Sequence, residues 1–117
     1  MNNYPKRGEI WQVNWNPSRG SEQAGKRPAL ITQNDIGNEK ASTTIVAAIS
    51  SSVKLYPMNV KIEISESGLS ETSIVKTNQI LTVSKFRLEK KIGKLSKEKM
   101  IEVNHAINLS LGLDNFH

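Results

Sequence analysis

The sequence predicts an α+β fold: a small, strongly curved antiparallel sheet followed by one amphipathic helix at the C-terminal end. Three observations predict it. Short alternating or β-branched runs recur up to residue 75, clusters of Gly, Pro, Asn and Ser break them, and the last twenty residues switch to helical spacing. The 117 residues suit one domain spanning 1–117, with a modest core and little room to enclose a large cofactor.

The elements follow in order. Residues 9–15 alternate, Trp11, Val13 and Trp15 on one face and Gln12 and Asn14 on the other, which predicts a half-buried strand. The two tryptophans are expected in the core or at a subunit interface. Asn16-Pro17-Ser18-Arg19-Gly20 ends the strand, because proline has no N–H for a ladder. Residues 29–33 and 43–49 are β-branched apolar runs that read as central strands, with turn chemistry at residues 34–38 between them. Residues 58–64 alternate again, placing Val60, Ile62 and Ile64 on one face, and a polar turn at 65–70 leads to a short strand at 73–75.

Residues 84–91 predict one or two helical turns with Ser84 as N-cap, and residues 92–95 an edge strand. In the final segment Ser96 is the expected N-cap and Glu98 favours the positive end of the helix dipole. Met100, Val103, Ile107 and Leu111 follow helical spacing, Ala106, Leu109 and Leu113 widen the stripe, and Gly112 marks the stop.

Charge points to an anionic partner. The net charge of +5 is split into +3 over residues 1–27, −1 over 28–83 and +3 over 84–117. There is no cysteine, which removes disulfide and thiolate chemistry and fits a reducing compartment. No apolar run approaches the roughly 20 residues that span a bilayer, and the N-terminus lacks a signal-peptide core, so a cytoplasmic location without membrane contact is expected. His105 and His117 read as solvent or packing residues. No cluster has metal-ligand spacing, and no phosphate-binding P-loop, dinucleotide fingerprint or nucleophile elbow is present. No metal or cofactor is expected.

The unusual segment is residues 16–28, which joins the first two strands. It is long for a hairpin and carries three cations, one carboxylate and two glycines. Glycine lets backbone N–H groups approach a ligand, and arginine offers a planar donor fork that matches phosphate oxygens. Charged, glycine-containing loops are common, so composition alone leaves a solvated loop as an equal reading.

The motif order resembles one family. Arg7-Gly8-Glu9-Ile10-Trp11, then Gly20-Ser21-Glu22-Gln23-Ala24-Gly25-Lys26-Arg27-Pro28, then Gln33-Asn34-Asp35-Ile36-Gly37-Asn38 and Ile45-Val46-Ala47-Ala48-Ile49-Ser50, resemble the successive blocks of the MazF/PemK toxins. Gln79-Ile80, Lys91-Ile92-Gly93-Lys94-Leu95-Ser96 and Leu109-Ser110-Leu111-Gly112-Leu113 continue the likeness. The resemblance implies an SH3-like β-barrel of the CcdB/MazF/Kid kind with a C-terminal helix, acting as a homodimer. It implies a sequence-specific endoribonuclease toxin that cuts single-stranded mRNA and is held inactive by a cognate MazE-type antitoxin. Operator DNA would be contacted only through the antitoxin complex.

By position, the resemblance makes Arg27 the catalytic arginine, Ser50 the hydroxyl that helps hold the scissile phosphate, and Glu22 the loop carboxylate. It places Arg19, Ser21, Gln23, Lys26 and Gln79 along the RNA. Two residues depart from the pattern: Ser50 replaces the usual threonine, and Leu81 stands where many members carry Arg or Lys. Trp15 and the strand around Ile45 are the expected apolar contributors to a dimer.

The chemistry suits these side chains. RNA carries its own nucleophile, the 2′-OH, so metal-independent cleavage would leave a 2′,3′-cyclic phosphate and a 5′-OH end. A fixed guanidinium follows charge growing on the phosphoryl oxygens. The proton acceptor stays open between Glu22, the easier base, and Arg27, which has a pKa above about 12 but is assigned both acid and base roles by the family resemblance. The alternatives are a non-enzymatic, CcdB-like gyrase poison and a barrel that binds nucleic acid without cutting it.

Overall fold

The computed structural model describes residues 4–15, 25–51 and 54–113. Its elements are β1 (Glu9–Asn14), β2 (Lys26–Ile31), α1 (Asp35–Lys40), β3 (Thr43–Ser50), β4 (Asn59–Ile62), α2 (Ile64–Ser67), β5 (Ser73–Ser84), β6 (Leu88–Lys94) and α3 (Lys97–Leu111). Six strands form one antiparallel sheet in the order β4-β5-β3-β2-β1-β6, the expected α+β architecture.

Alternation along the strands gives this sheet two apolar faces. Ile10, Leu30, Ile49, Ile62 and Val75 pack with Val103 and Ala106 of α3 on one face. Val13, Trp15, Ala29, Ile31, Val46 and Val83 form the second cluster, with Trp11 and Leu81 against it. Trp11, Val13 and Trp15 thus share a face as the alternation predicts. Trp15 is buried in its own chain's core, which leaves little of it to offer a partner subunit. Leu81 joins the same cluster, so the departure from the family pattern serves packing.

No ladder joins β4 to β6 among the described residues. The two ends of the sheet meet instead through backbone packing of α2 on β6. A Cβ on Gly68, whose φ is +80°, would lie 2.6 Å from the Ile92 carbonyl oxygen. A Cβ on Gly93 would overlap the Ser67 carbonyl oxygen. Only glycine on both sides permits this approach, and the resulting seam frames the site described below.

Three expectations change. Residues 34–38 begin α1, not a plain turn. Asn34 caps it by accepting from Gly37 N at 2.8 Å, and buried Asn38 accepts from Thr44 Oγ1 at 2.6 Å while donating to the Gln33 carbonyl at 2.9 Å. Ile64 leaves the strand face and opens α2, where a reciprocal cap between Glu63 and Glu66 competes with β-pairing and leaves Ile64 exposed. β5 runs twelve residues instead of three, because a bulge at residues 77–79 lets it pair with β3 at both ends.

A fourth expectation holds only in part: Ser84 caps a short 3₁₀ turn at Lys85–Arg87, but residues 88–91, expected as helix, pair with β1 and belong to the edge strand β6. Ser96 caps α3 as expected, accepting from Lys99 N at 3.1 Å. On α3, Val103 and Ala106 are buried and Met100 and Ile107 are half-buried, whereas Leu109, Leu111 and Leu113, expected in the apolar stripe, are exposed. Arg7 ties the chain start to this frame, its side chain donating to the Thr32 carbonyl at 2.9 Å and to Asn104 Oδ1 at 2.6 Å.

Candidate active site

The second strand carries a sharp change of character. Lys26 and Arg27 are exposed, whereas Ala29, Leu30 and Ile31 are fully buried. The guanidinium is thereby placed at the end of a rigid, core-anchored strand, paired in register with Val13 of β1. Ser50 ends β3 in the same way, half-buried and opposite Ile74 of β5.

These two ends open into one cleft of about 370 Å³. One wall comes from the ladder: Gln12, Arg27, Pro28, Ile49 and Ser50. The other comes from the seam, with Leu69, Ser70, Glu71 and Ser73 leading out of α2, and Lys90 and Ile92 of β6 facing them. Ile49, Leu69 and Ile92 belong to the helix-side core, so the site is an open end of that core with a polar rim. Among the described residues the charged lining groups are two cations, Arg27 and Lys90, and one carboxylate, Glu71. A rim of hydroxyls and cations over an apolar floor suits a phosphodiester with a base beside it.

Two ionic links brace the ladder wall. Glu89 Oε1 takes the Gln12 amide at 3.2 Å and the Lys26 ammonium at 3.4 Å. Glu9, nearly buried, accepts from Lys6 N and Trp11 Nε1, both at 2.9 Å, and pairs with Lys91 at 3.1 Å. Burial pushes the Glu9 carboxyl up, but those hydrogen bonds and the Lys91 charge outweigh it and hold the carboxyl below its ordinary value. The Glu9–Lys91 pair fixes β6 against β1 one residue from Lys90.

The structure brings Arg27 and Ser50 together. Lys26 lies beside the cleft, held by Glu89, and outside its lining. Gln79 sits in the β5 bulge, which is tied to α3 where Ser110 Oγ donates to the Thr77 carbonyl at 2.8 Å, and it too is outside the lining. Arg19, Ser21, Glu22 and Gln23 lie outside the described residues. Sequence reasoning missed Gln12, Glu71 and Lys90. Gln12 reads in the sequence only as part of a polar strand face, and Lys90 only as part of the +3 charge over residues 84–117. The polar turn around Glu71 comes into the cleft only through the seam.

Among the described residues no group of three or more His, Cys, Asp or Glu is placed to hold a metal, and His105 is exposed on α3. No helix among those residues is long and apolar enough to cross a membrane.

The model of the PemK-like, MazF-like toxins of type II toxin-antitoxin systems matches residues 6–111. The chain belongs to this family. The toxin is 43% identical over 113 residues to Endoribonuclease MazF of Staphylococcus epidermidis, covering 95% of this chain and 94% of the relative. It is 44% identical over 110 residues to the protein of the same name from Staphylococcus saprophyticus, covering 92% of each. Among solved structures, a mycobacterial endoribonuclease in complex with its cognate antitoxin superposes with a TM-score of 0.80 at 24% identity, over 93% of this toxin and 96% of that chain. MazF from Deinococcus radiodurans gives 0.78 at 23% identity, over 93% and 97%. At those identities the structural matches speak for the fold of the toxin.

Proposed function

We propose that this endoribonuclease toxin cuts single-stranded RNA in the Arg27–Ser50 cleft, without a metal and at preferred sequences. The observation that carries the reading is the meeting of a core-anchored guanidinium, a strand-end hydroxyl and Lys90 around one open cleft. The curated relatives bear the name endoribonuclease, which favours RNA cleavage over gyrase poisoning.

In this mechanism the 2′-oxygen attacks the adjacent phosphorus. The O2′–P bond forms, the P–O5′ bond breaks, and the products are a 2′,3′-cyclic phosphate and a 5′-OH end. Arg27 binds two equatorial oxygens as charge accumulates on them, and Ser50 donates to one of them. The proton of the 2′-OH passes to Glu22 or to Arg27, and the departing 5′-oxygen takes up a proton from that same group or from water. Arg19, Ser21, Gln23, Lys26 and Gln79 hold the strand on either side. A single domain over residues 1–117 supplies this machinery, and two copies form the working groove in the cytoplasm.

An acidic antitoxin tail docks on the same cationic rim and excludes RNA, and operator DNA is reached through that complex. The complex of a structural relative with its cognate antitoxin supports this partner. Because the rim contacts are ionic, RNA affinity falls steeply with added salt.

The test is cleavage of a single-stranded oligoribonucleotide in EDTA, beside the same strand with a 2′-deoxy residue at the cut. Cleavage persists in chelator, stops on the deoxy strand, and leaves cyclic phosphate ends. Loss of activity in EDTA with rescue by magnesium refutes the mechanism.

A further inference from the structure

Glu71 is a negative charge on the rim of a cleft built for a polyanion. Among the described residues its carboxylate has no ion pair and no hydrogen bond to neutralise it, and the residue is exposed. A like charge close to bound phosphate lowers affinity unless the carboxylate finds donors on the ligand itself.

The segment that carries it is fixed. Gly68 is locked against Ile92, Leu69 N donates to Ser67 Oγ at 3.1 Å, and Thr72 Oγ1 donates to Glu63 Oε1 at 3.2 Å. Buried Ser73 donates its hydroxyl to the Glu71 carbonyl at 3.0 Å, and the next residue, Ile74, is in the β5 ladder opposite Ser50. The carboxylate therefore stands on a short, pinned arch that lines the same cleft as Arg27, as a recognition group requires.

On the proposed function as its basis, we infer that Glu71 is a specificity-determining residue that selects a guanine beside the cleaved phosphodiester. An ionised carboxylate offers two acceptors and no donor. Unstacked bases in single-stranded RNA are read on their Watson–Crick edges. Guanine presents two adjacent donors there, N1–H and the N2 amine, and takes both carboxylate oxygens. Uracil presents one N–H between two carbonyls and is repelled. Cytosine and adenine offer a single amine beside an acceptor, so one contact is gained and one oxygen is opposed.

The experiment is cleavage of a randomised single-stranded RNA pool by the full-length chain, Glu71→Gln and Glu71→Ala, with the new ends sequenced. A defined oligonucleotide carrying guanine or inosine at the selected position is compared in parallel. The wild-type chain prefers guanine at one position next to the cut, and inosine, which lacks the N2 amine, loses about tenfold or more of that preference. Both variants keep the wild-type melting midpoint, and their guanine-to-other ratio falls by about tenfold or more. An unchanged base preference in both variants overturns the assignment and leaves the proposed function standing. A uniform rate loss with the preference intact overturns it as well. A wild-type chain that cuts no RNA removes the proposed function, and the Glu71 inference falls with it.

Discussion

The two walls of the cleft are built by different physics. The ladder wall hangs Arg27 and Ser50 on the ends of β2 and β3, whose inner residues are fully or almost fully buried, so its geometry follows from hydrogen-bonded register. The seam wall has no ladder across it. It depends on the backbone of α2 lying directly on β6 at Gly68 and Gly93, and on the side-chain hydrogen bonds that pin the 68–73 arch. Strand register makes the first wall tolerant of side-chain change, whereas the second fails if a single methyl group is added.

Gly93→Ala tests that contrast most severely. Its new Cβ meets the Ser67 backbone, which has no rotamer to yield, so the sheet ends are forced apart at a cost of about 3 kcal/mol. A lower urea midpoint and loss of RNA cleavage are expected together. A fully stable variant shows that the seam does not close the fold.

Glu9→Gln sharpens the same contrast through pH. The folded carboxyl lies below its ordinary value of 4.5, so the ion network contributes stability above about that pH and loses it as pH falls through the folded value. Replacing the charged acceptor costs about 1–3 kcal/mol near neutrality, and the gap from wild type narrows in acid. Denaturant unfolding at pH 7 and pH 3.5 reads it directly, and a pH-independent gap contradicts the assigned network.

Ser50→Ala on the ladder wall has the smallest effect. It loses one neutral donor to the phosphate, about 1 kcal/mol or a severalfold drop in cleavage rate, with no change in melting midpoint. Ser50→Thr restores the hydroxyl and the rate. A Ser50→Ala variant as active as wild type removes the hydroxyl from the mechanism.

How far the sequence could be read follows the same division. The strand faces of β1, β3 and β4, the Ser84 and Ser96 caps and the C-terminal helix are local signals, encoded in period and capping chemistry. Composition left the 16–28 segment an equal choice between a solvated loop and a site, and it is the resemblance to the family that singled out Arg27. The Gln33–Asn38 block, by contrast, builds a cap and the buried Asn38 hub, so part of the family pattern preserves folding and lies away from the cleft. Glu71 and Lys90 were hidden because they line one cleft only once segments far apart in sequence have folded together, which leaves no periodic trace. The twelve-residue β5 was hidden by its bulge, where Thr77, Asn78 and Gln79 interrupt the apolar alternation.

Arg27 carries the central claim, and single-turnover cleavage with parallel RNA binding by Arg27→Ala and Arg27→Lys tests it most directly. If the guanidinium stabilises the transition state, Arg27→Ala loses on the order of a hundredfold or more in rate while RNA affinity and melting midpoint change far less. Arg27→Lys recovers little, because an ammonium lacks the bidentate fork. Cleavage by Arg27→Ala at the wild-type rate contradicts the assignment of this cleft as the active site.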